Sequence, residues 1–92
     1  MDSSSSKEME WLICWFRDNT NLERAEIDGK MRENYFEKGW IDSFKFMTLI
    51  NDMENEFGIT FSNDDFQDRE FSNIEGLSRI ITRLVHHERN KG

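Results

Sequence analysis

The sequence predicts an all-α fold of three main helices, one short third helix before the last of them, and a long first loop. Three observations carry that prediction. Apolar residues recur with helical spacing in three separate segments. Turn chemistry at Asn19-Thr20-Asn21 and at Gly58 falls where two of those stripes stop. Ile59-Thr60-Phe61 alternates, but three residues do not make a strand. With 92 residues the chain reads as a single domain, 1–92, since two half-length cores would fall below the size that folds without staples.

The first helix is expected over residues 6–18, burying Met9, Leu12, Ile13 and Phe16. Trp15 borders that stripe, and Trp11 and Cys14 fall on the other side. Residues 1–6 are Ser-rich and expected to fray. Residues 19–42 show no sustained period. They read as a long connection anchored by Leu22, Ile27, Tyr35, Phe36 and Ile41, bent at Gly29 and Gly39, with one turn of helix around residues 31–35. Asp42 is placed to cap the second helix by accepting first-turn N–H groups. Phe46, Leu49, Ile50, Met53 and Phe57 form its stripe, and Gly58 ends it in a left-handed conformation. Phe44 and Met47 lie off the stripe on the Ser43 side, and Asp52, Asn55 and Glu56 point away from the core. A short third helix near residues 63–68 is expected to hold Phe66 inward. Ser72-Asn73-Ile74-Glu75 reads as a capping box for the last helix, which buries Ile74, Leu77, Ile80, Ile81, Leu84 and Val85. Residues 87–92 are expected to be flexible.

The net charge is −7, and residues 42–75 account for all of it, with nine acids against Lys45 and Arg69. Nucleic acid needs the opposite sign, and an anionic membrane is repelled. A basic protein partner is attracted. The longest apolar run, residues 11–16, inserts into no membrane. The start has no basic and apolar leader, so a cytoplasmic protein is expected. The single cysteine, Cys14, excludes an internal disulfide framework, and two adjacent histidines, His86 and His87, make no zinc set, so no metal is expected.

The segment Phe36-Glu37-Lys38-Gly39-Trp40-Ile41-Asp42-Ser43-Phe44 sets a serine in the first turn of a helix, after an acid. Alone, an Asp-Ser pair only starts a helix. Here Leu49 lies six residues beyond Ser43 and Phe57 fourteen beyond, followed by Gly58-Ile59. With that spacing, residues 8–86 resemble the acyl carrier protein family, whose attachment motif, Asp-Ser-Leu or a close variant, opens the second of four helices. Residues 36–44, and Phe66 through Phe71-Ser72 with Arg69 between, are further similar to stand-alone D-alanyl carrier proteins.

The resemblance implies an acyl-carrier-like four-helix bundle that is a carrier and not an enzyme. It implies that Ser43 receives 4'-phosphopantetheine from coenzyme A through a phosphopantetheinyl transferase, with Asp42 helping that transferase hold Mg²⁺. The arm's thiol then bears an acyl or aminoacyl group as a thioester, loaded by a separate adenylating ligase or acyltransferase and passed to a downstream acceptor enzyme. A phosphodiester suits the positive end of a helix dipole. Acids in the second half of the helix oppose its dipole, so Asp52, Glu54 and Glu56 read as a face for basic partner residues, with Phe44 and Met47 as apolar contacts. Trp40 shields the arm, touches a partner or simply packs.

Phe44 stands where the family commonly has Leu. Lys45 and Thr48 stand where fatty-acid carriers often have acids, which argues against fatty-acid synthase enzymes as partners. The alternative reading is an acidic helical protein-interaction module without a prosthetic group, in which Ser43 is a cap alone. A serine hydrolase is disfavoured because no Gly-x-Ser-x-Gly elbow is present. A calcium loop at residues 51–56 fails on ligand spacing.

Overall fold

In the computed structural model the backbone is described from Lys7 to Lys91 and side chains as far as His87. The expectation of fraying at residues 1–6 lies outside the described residues. The described chain is all-α, and its three main helices are those the periodicity predicts. Helix α1 (Lys7–Asn19) buries Leu12, Ile13, Trp15 and Phe16. Trp11 is half-buried and meets Phe57 edge-on, with ring centroids 5.4 Å apart. Asn19 and Thr20 close α1 by donating side-chain hydrogen bonds to the carbonyls of Trp15 and Phe16.

The connection differs from expectation. The turn of helix expected at residues 31–35 falls earlier, as α2 (Arg24–Gly29). Its one buried residue is Ile27, and Glu23 makes no side-chain cap. A six-residue helix with one apolar anchor leaves no period to read. A second single turn follows at residues 35–38. Asn34 Oδ1 accepts from the N–H groups of Phe36 (2.9 Å) and Glu37 (3.0 Å) to start it. Gly39 N–H donates to the Phe36 carbonyl (3.1 Å) and Trp40 N–H to the Tyr35 carbonyl (3.0 Å) to end it. That pair of bonds is a Schellman closure, and Gly39 takes the left-handed position at φ 72°.

Helix α3 (Ser43–Phe57) starts at Asp42 and stops at Gly58, which is left-handed at φ 65°. Leu49, Ile50 and Met53 are buried, and Phe46 and Phe57 are half-buried at the ends of the stripe. Helix α4 (Asn63–Gln67) sits near its expected place with its faces exchanged. Phe66 is 44% exposed and lies against the rings of Phe61 and Phe71, while Asp65 is buried. The reason is a capping box at Ser62: the Asp65 carboxylate accepts from Ser62 N–H (2.9 Å) and pairs with Arg83 (3.0 Å). A buried carboxylate is tolerated when paired and bonded in this way.

A 3-10 helix over Arg69–Ser72 leads into α5 (Ile74–Lys91). The box expected at Ser72 and Glu75 does not form. Asn73 caps α5 instead, its Oδ1 accepting from Gly76 N–H at 2.7 Å. Ser72 Oγ donates to the Arg69 carbonyl (2.8 Å), and Glu75 turns to Arg32 and Arg79. The hydrogen bond from Arg32 is the main cause holding Glu75 below the usual carboxylate range. The α5 backbone is helical to Lys91.

Two features set the packing. Gly76 is buried where a Cβ would come within 2.1 Å of the Glu70 carbonyl oxygen, so the 3-10 helix and α5 meet only over a glycine. Tyr35 is fully buried and touches the rings of Phe16, Phe36 and Phe46. Its hydroxyl donates to the Phe71 carbonyl and its N–H to the Ser72 carbonyl. Burial pushes its phenol pKa far up, so the hydroxyl stays a donor.

Gly76→Ala should destabilise by about 1–3 kcal/mol by overpacking, although alanine is the better helix former. An unchanged denaturant midpoint would show that the 3-10 helix can move aside. Tyr35→Phe should cost about 1–3 kcal/mol, because it leaves the Phe71 carbonyl buried and unpaired. Phe44→Ala, at a position 81% exposed, should stay within about 0.5 kcal/mol of wild type in the same urea titration.

Candidate functional site

The N-terminal turn of α3 is fixed from both sides. On the loop side, Trp40 N–H is bonded to Tyr35 and Ile41 is buried. On the helix side, Asp42 is extended (φ −108°, ψ −174°) and its Oδ1 accepts from Lys45 N–H at 2.9 Å. The Asp42 carbonyl accepts from Phe46 N–H, also at 2.9 Å. Ser43 is the first helical residue and is exposed. Among the described residues no hydrogen bond uses the N–H groups of Ser43 or Phe44.

The charge at this turn is unlike that at the other helix starts. Helices α1, α2, α4 and α5 each carry at least one acid in the first turn, and α3 carries none. It has Lys45 instead, half-buried and without an ion pair among the described residues. An exposed hydroxyl, two unused N–H groups, a lone ammonium and a helix start suit a phosphate ester. The bonds around Ser43 are backbone caps, and none joins its hydroxyl to a base that would make it a nucleophile. No cluster of three or more His, Cys, Asp or Glu side chains suited to a metal occurs among the described residues.

Phe44 and Met47 project from α3 at 81% and 66% exposure, one turn apart and beside Ser43. Glu56 is exposed and Trp40 half-buried. Asp52 and Glu54 are placed differently from the free acidic face expected of them. Both are half-buried. Asp52 Oδ2 accepts from Trp15 Nε1 at 2.8 Å, and Glu54 Oε2 accepts from Phe61 N–H at 3.0 Å. Their partners lie on α1 and beyond the end of α3, and no local pattern in α3 announces them. Cys14 is a half-buried free thiol on α1.

A cleft of about 710 Å³ opens beside this turn, between Trp40 and Lys45 on one side and the end of α1 with α2 on the other. Its walls come from two segments, residues 18–26 and 39–45, on either side of a connection with no period, so spacing could not reveal it. Among the described residues no helix is long and apolar enough to cross a membrane.

A family model described as phosphopantetheine attachment site matches residues 10–81, from the first turns of α1 to Ile81 in α5. No curated protein and no solved structure matches the chain. Such domains bear 4'-phosphopantetheine, act as carriers and not as catalysts, and meet a phosphopantetheinyl transferase and acyl-handling enzymes. The match runs through the all-α core and spans the α3 start, and on it the chain belongs to the phosphopantetheine-attachment family of acyl carrier proteins.

Proposed function

We propose that Ser43 is the attachment residue and that the chain carries an aminoacyl group in the manner of stand-alone D-alanyl carrier proteins. The observation that carries this reading is an exposed serine at the one helix start with no acid in its first turn. In the modification, the Ser43 oxygen bonds to the pantetheine phosphorus of coenzyme A. The pyrophosphate link breaks, the adenosine bisphosphate leaves, and the hydroxyl proton passes to the transferase. One Asp42 oxygen is committed to the cap, and the other would be left to help that enzyme hold Mg²⁺. The arm supplies a thiol, on which a separate adenylating ligase installs the cargo as a thioester for a downstream acceptor enzyme. The similarity of residues 36–44 and 66–72 to D-alanyl carriers supports the ligase over an acyltransferase.

Partner enzymes dock on the outer face of α3 beside Ser43. Phe44 and Met47 are the apolar contacts, because large apolar side chains this exposed gain most from being covered. Trp40 borders them on the loop side, and Glu56 supplies the free acid at the far end of the helix. Asp52 and Glu54 add charge to the same field, although each also holds the fold. Docking of this kind is steered by charge and anchored by the apolar pair.

Incubation with coenzyme A, Mg²⁺ and a broad-specificity transferase should add the mass of one phosphopantetheine to the wild type and nothing to Ser43→Ala. An unmodified wild type with several active transferases would leave an acidic interaction module in which Ser43 is only a cap. Phe44→Ala combined with Met47→Ala should lower kcat/KM for that modification by roughly tenfold or more. Glu56→Lys should slow it severalfold at low salt and little at high salt, whereas Glu23→Lys on the exposed start of α2 should be nearly neutral. Equal rates for both charge reversals at low salt would remove Glu56 from the docking face.

A further inference from the structure

The cleft beside the attachment turn shares Lys45 and Trp40 with the surfaces already described, and its charges are segregated. Its single cation, Lys45, stands on α3 two residues after Ser43 and has no ion pair among the described residues. Its two carboxylates stand on the opposite walls, Asp18 at the end of α1 and Glu26 on α2. The carbonyl end of α1 adds partial negative charge on that side. Asp18 and Glu26 do have partners, Arg17 at 3.5 Å and Lys30 at 4.0 Å. All four side chains are roughly half exposed or more, and pairs of that kind are weak and exchange readily. The apolar surface in the cleft comes from Trp40 and Leu22, both half-buried.

A ligand matched to this layout is anionic near Ser43 and cationic at its other end. A long alkyl chain is a poor match, because two carboxylates and the Asn21 amide offer it nothing dry to cover it. Nor does the core beneath α3 offer an alternative, since Leu49, Met53, Leu77 and Ile81 are fully buried against one another and their neighbours. We propose that the cleft is the resting seat of the loaded arm, in which Lys45 pairs with the phosphodiester on Ser43 while Asp18 and Glu26 hold the protonated α-amine of a small aminoacyl cargo. The proposal rests on Ser43 bearing the arm, and it adds a site for the cargo and a charge requirement on it. Lys45 at a helix start is unfavourable against the dipole until a phosphate stands beside it.

The test compares two arms that differ only in the amine. Coenzyme A analogues bearing alanyl or propionyl groups through a stable amide are transferred to the full chain, and each product is weighed. Failure to gain mass at Ser43 counts against the attachment reading alone. With both products in hand, amide and indole NMR spectra should show the alanyl arm shifting Asn19, Asn21 and the Trp40 indole N–H, and the propionyl arm shifting them less. The alanyl amine should titrate at higher pH on the wild type than on Asp18→Asn combined with Glu26→Gln, since opposing carboxylates favour the charged amine. Lys45→Gln should move the phosphodiester phosphorus resonance. Identical spectra for the two arms would overturn the proposal. So would a difference that persists undiminished in the doubly neutralised variant, or shifts confined to another face. None of the three substituted residues belongs to the core, and a wild-type amide spectrum of the unmodified variants verifies that they fold.

Discussion

Tyr35 is the contact on which the start of α3 depends. It is fully buried in the middle of a connection that has no period of its own. Through its ring it meets α1 at Phe16 and α3 at Phe46, and through its hydroxyl and N–H it holds the 3-10 helix at Phe71 and Ser72. Its carbonyl also closes the turn that delivers Trp40, and so fixes where α3 begins. Phe46 extends the same contact to Phe36 and Phe71, and Phe71 extends it to Phe61 and Phe66. A slab of aromatic rings therefore does under α3 what a longer helix pair does in a larger bundle. Edge-on ring pairs add to the area they bury.

The long helices were legible because each presents a repeated stripe, and α3 also showed both of its ends, in Asp42 and Gly58. The Ser43 turn was legible for the same reason, as its neighbours stand at fixed distances within one helix. Short elements were not. Helix α2 has one buried side chain, and the 3-10 helix is held by Tyr35, 36 residues before Phe71, and by the missing side chain at Gly76, which no stripe or cap announces. The exchange of Phe66 and Asp65 follows from the Ser62 capping box together with Arg83, eighteen residues away. Asp52 and Glu54 look like surface acids when α3 is read alone. They are half-buried because an indole from α1 and an N–H beyond the end of α3 reach them. Local pattern reports propensity and face, whereas long-range pairing decides which polar groups are sheltered.

The electrostatics of the molecule have the same two scales. Globally the chain is acidic, with its excess gathered between Asp42 and Glu75. Locally the start of α3 is stripped of acid, with Asp42 turned into the cap and Lys45 the only formal charge in the first turn. An acidic field draws in a basic enzyme, and a first turn free of acid accepts a phosphate with less repulsion than one that carries acids. On the proposed reading a single helix meets both demands, with docking on its outer face and attachment at its start.

The Schellman closure at Gly39 bears on how a tethered cargo travels. Because Trp40 is tied back to Tyr35 and Ile41 is buried, the backbone that would root a tether at Ser43 is pinned to the core. With Ser43 as that root, the reach of the cargo is set by the tether's own rotatable bonds, and the protein adds no swing of its own. Delivery then becomes a matter of effective concentration: once an enzyme has docked, its catalytic centre sees the cargo at a level governed by tether length. A fixed root makes that level the same for every enzyme that docks in one orientation. On that reading the carrier serves each enzyme that handles its cargo in turn without changing shape.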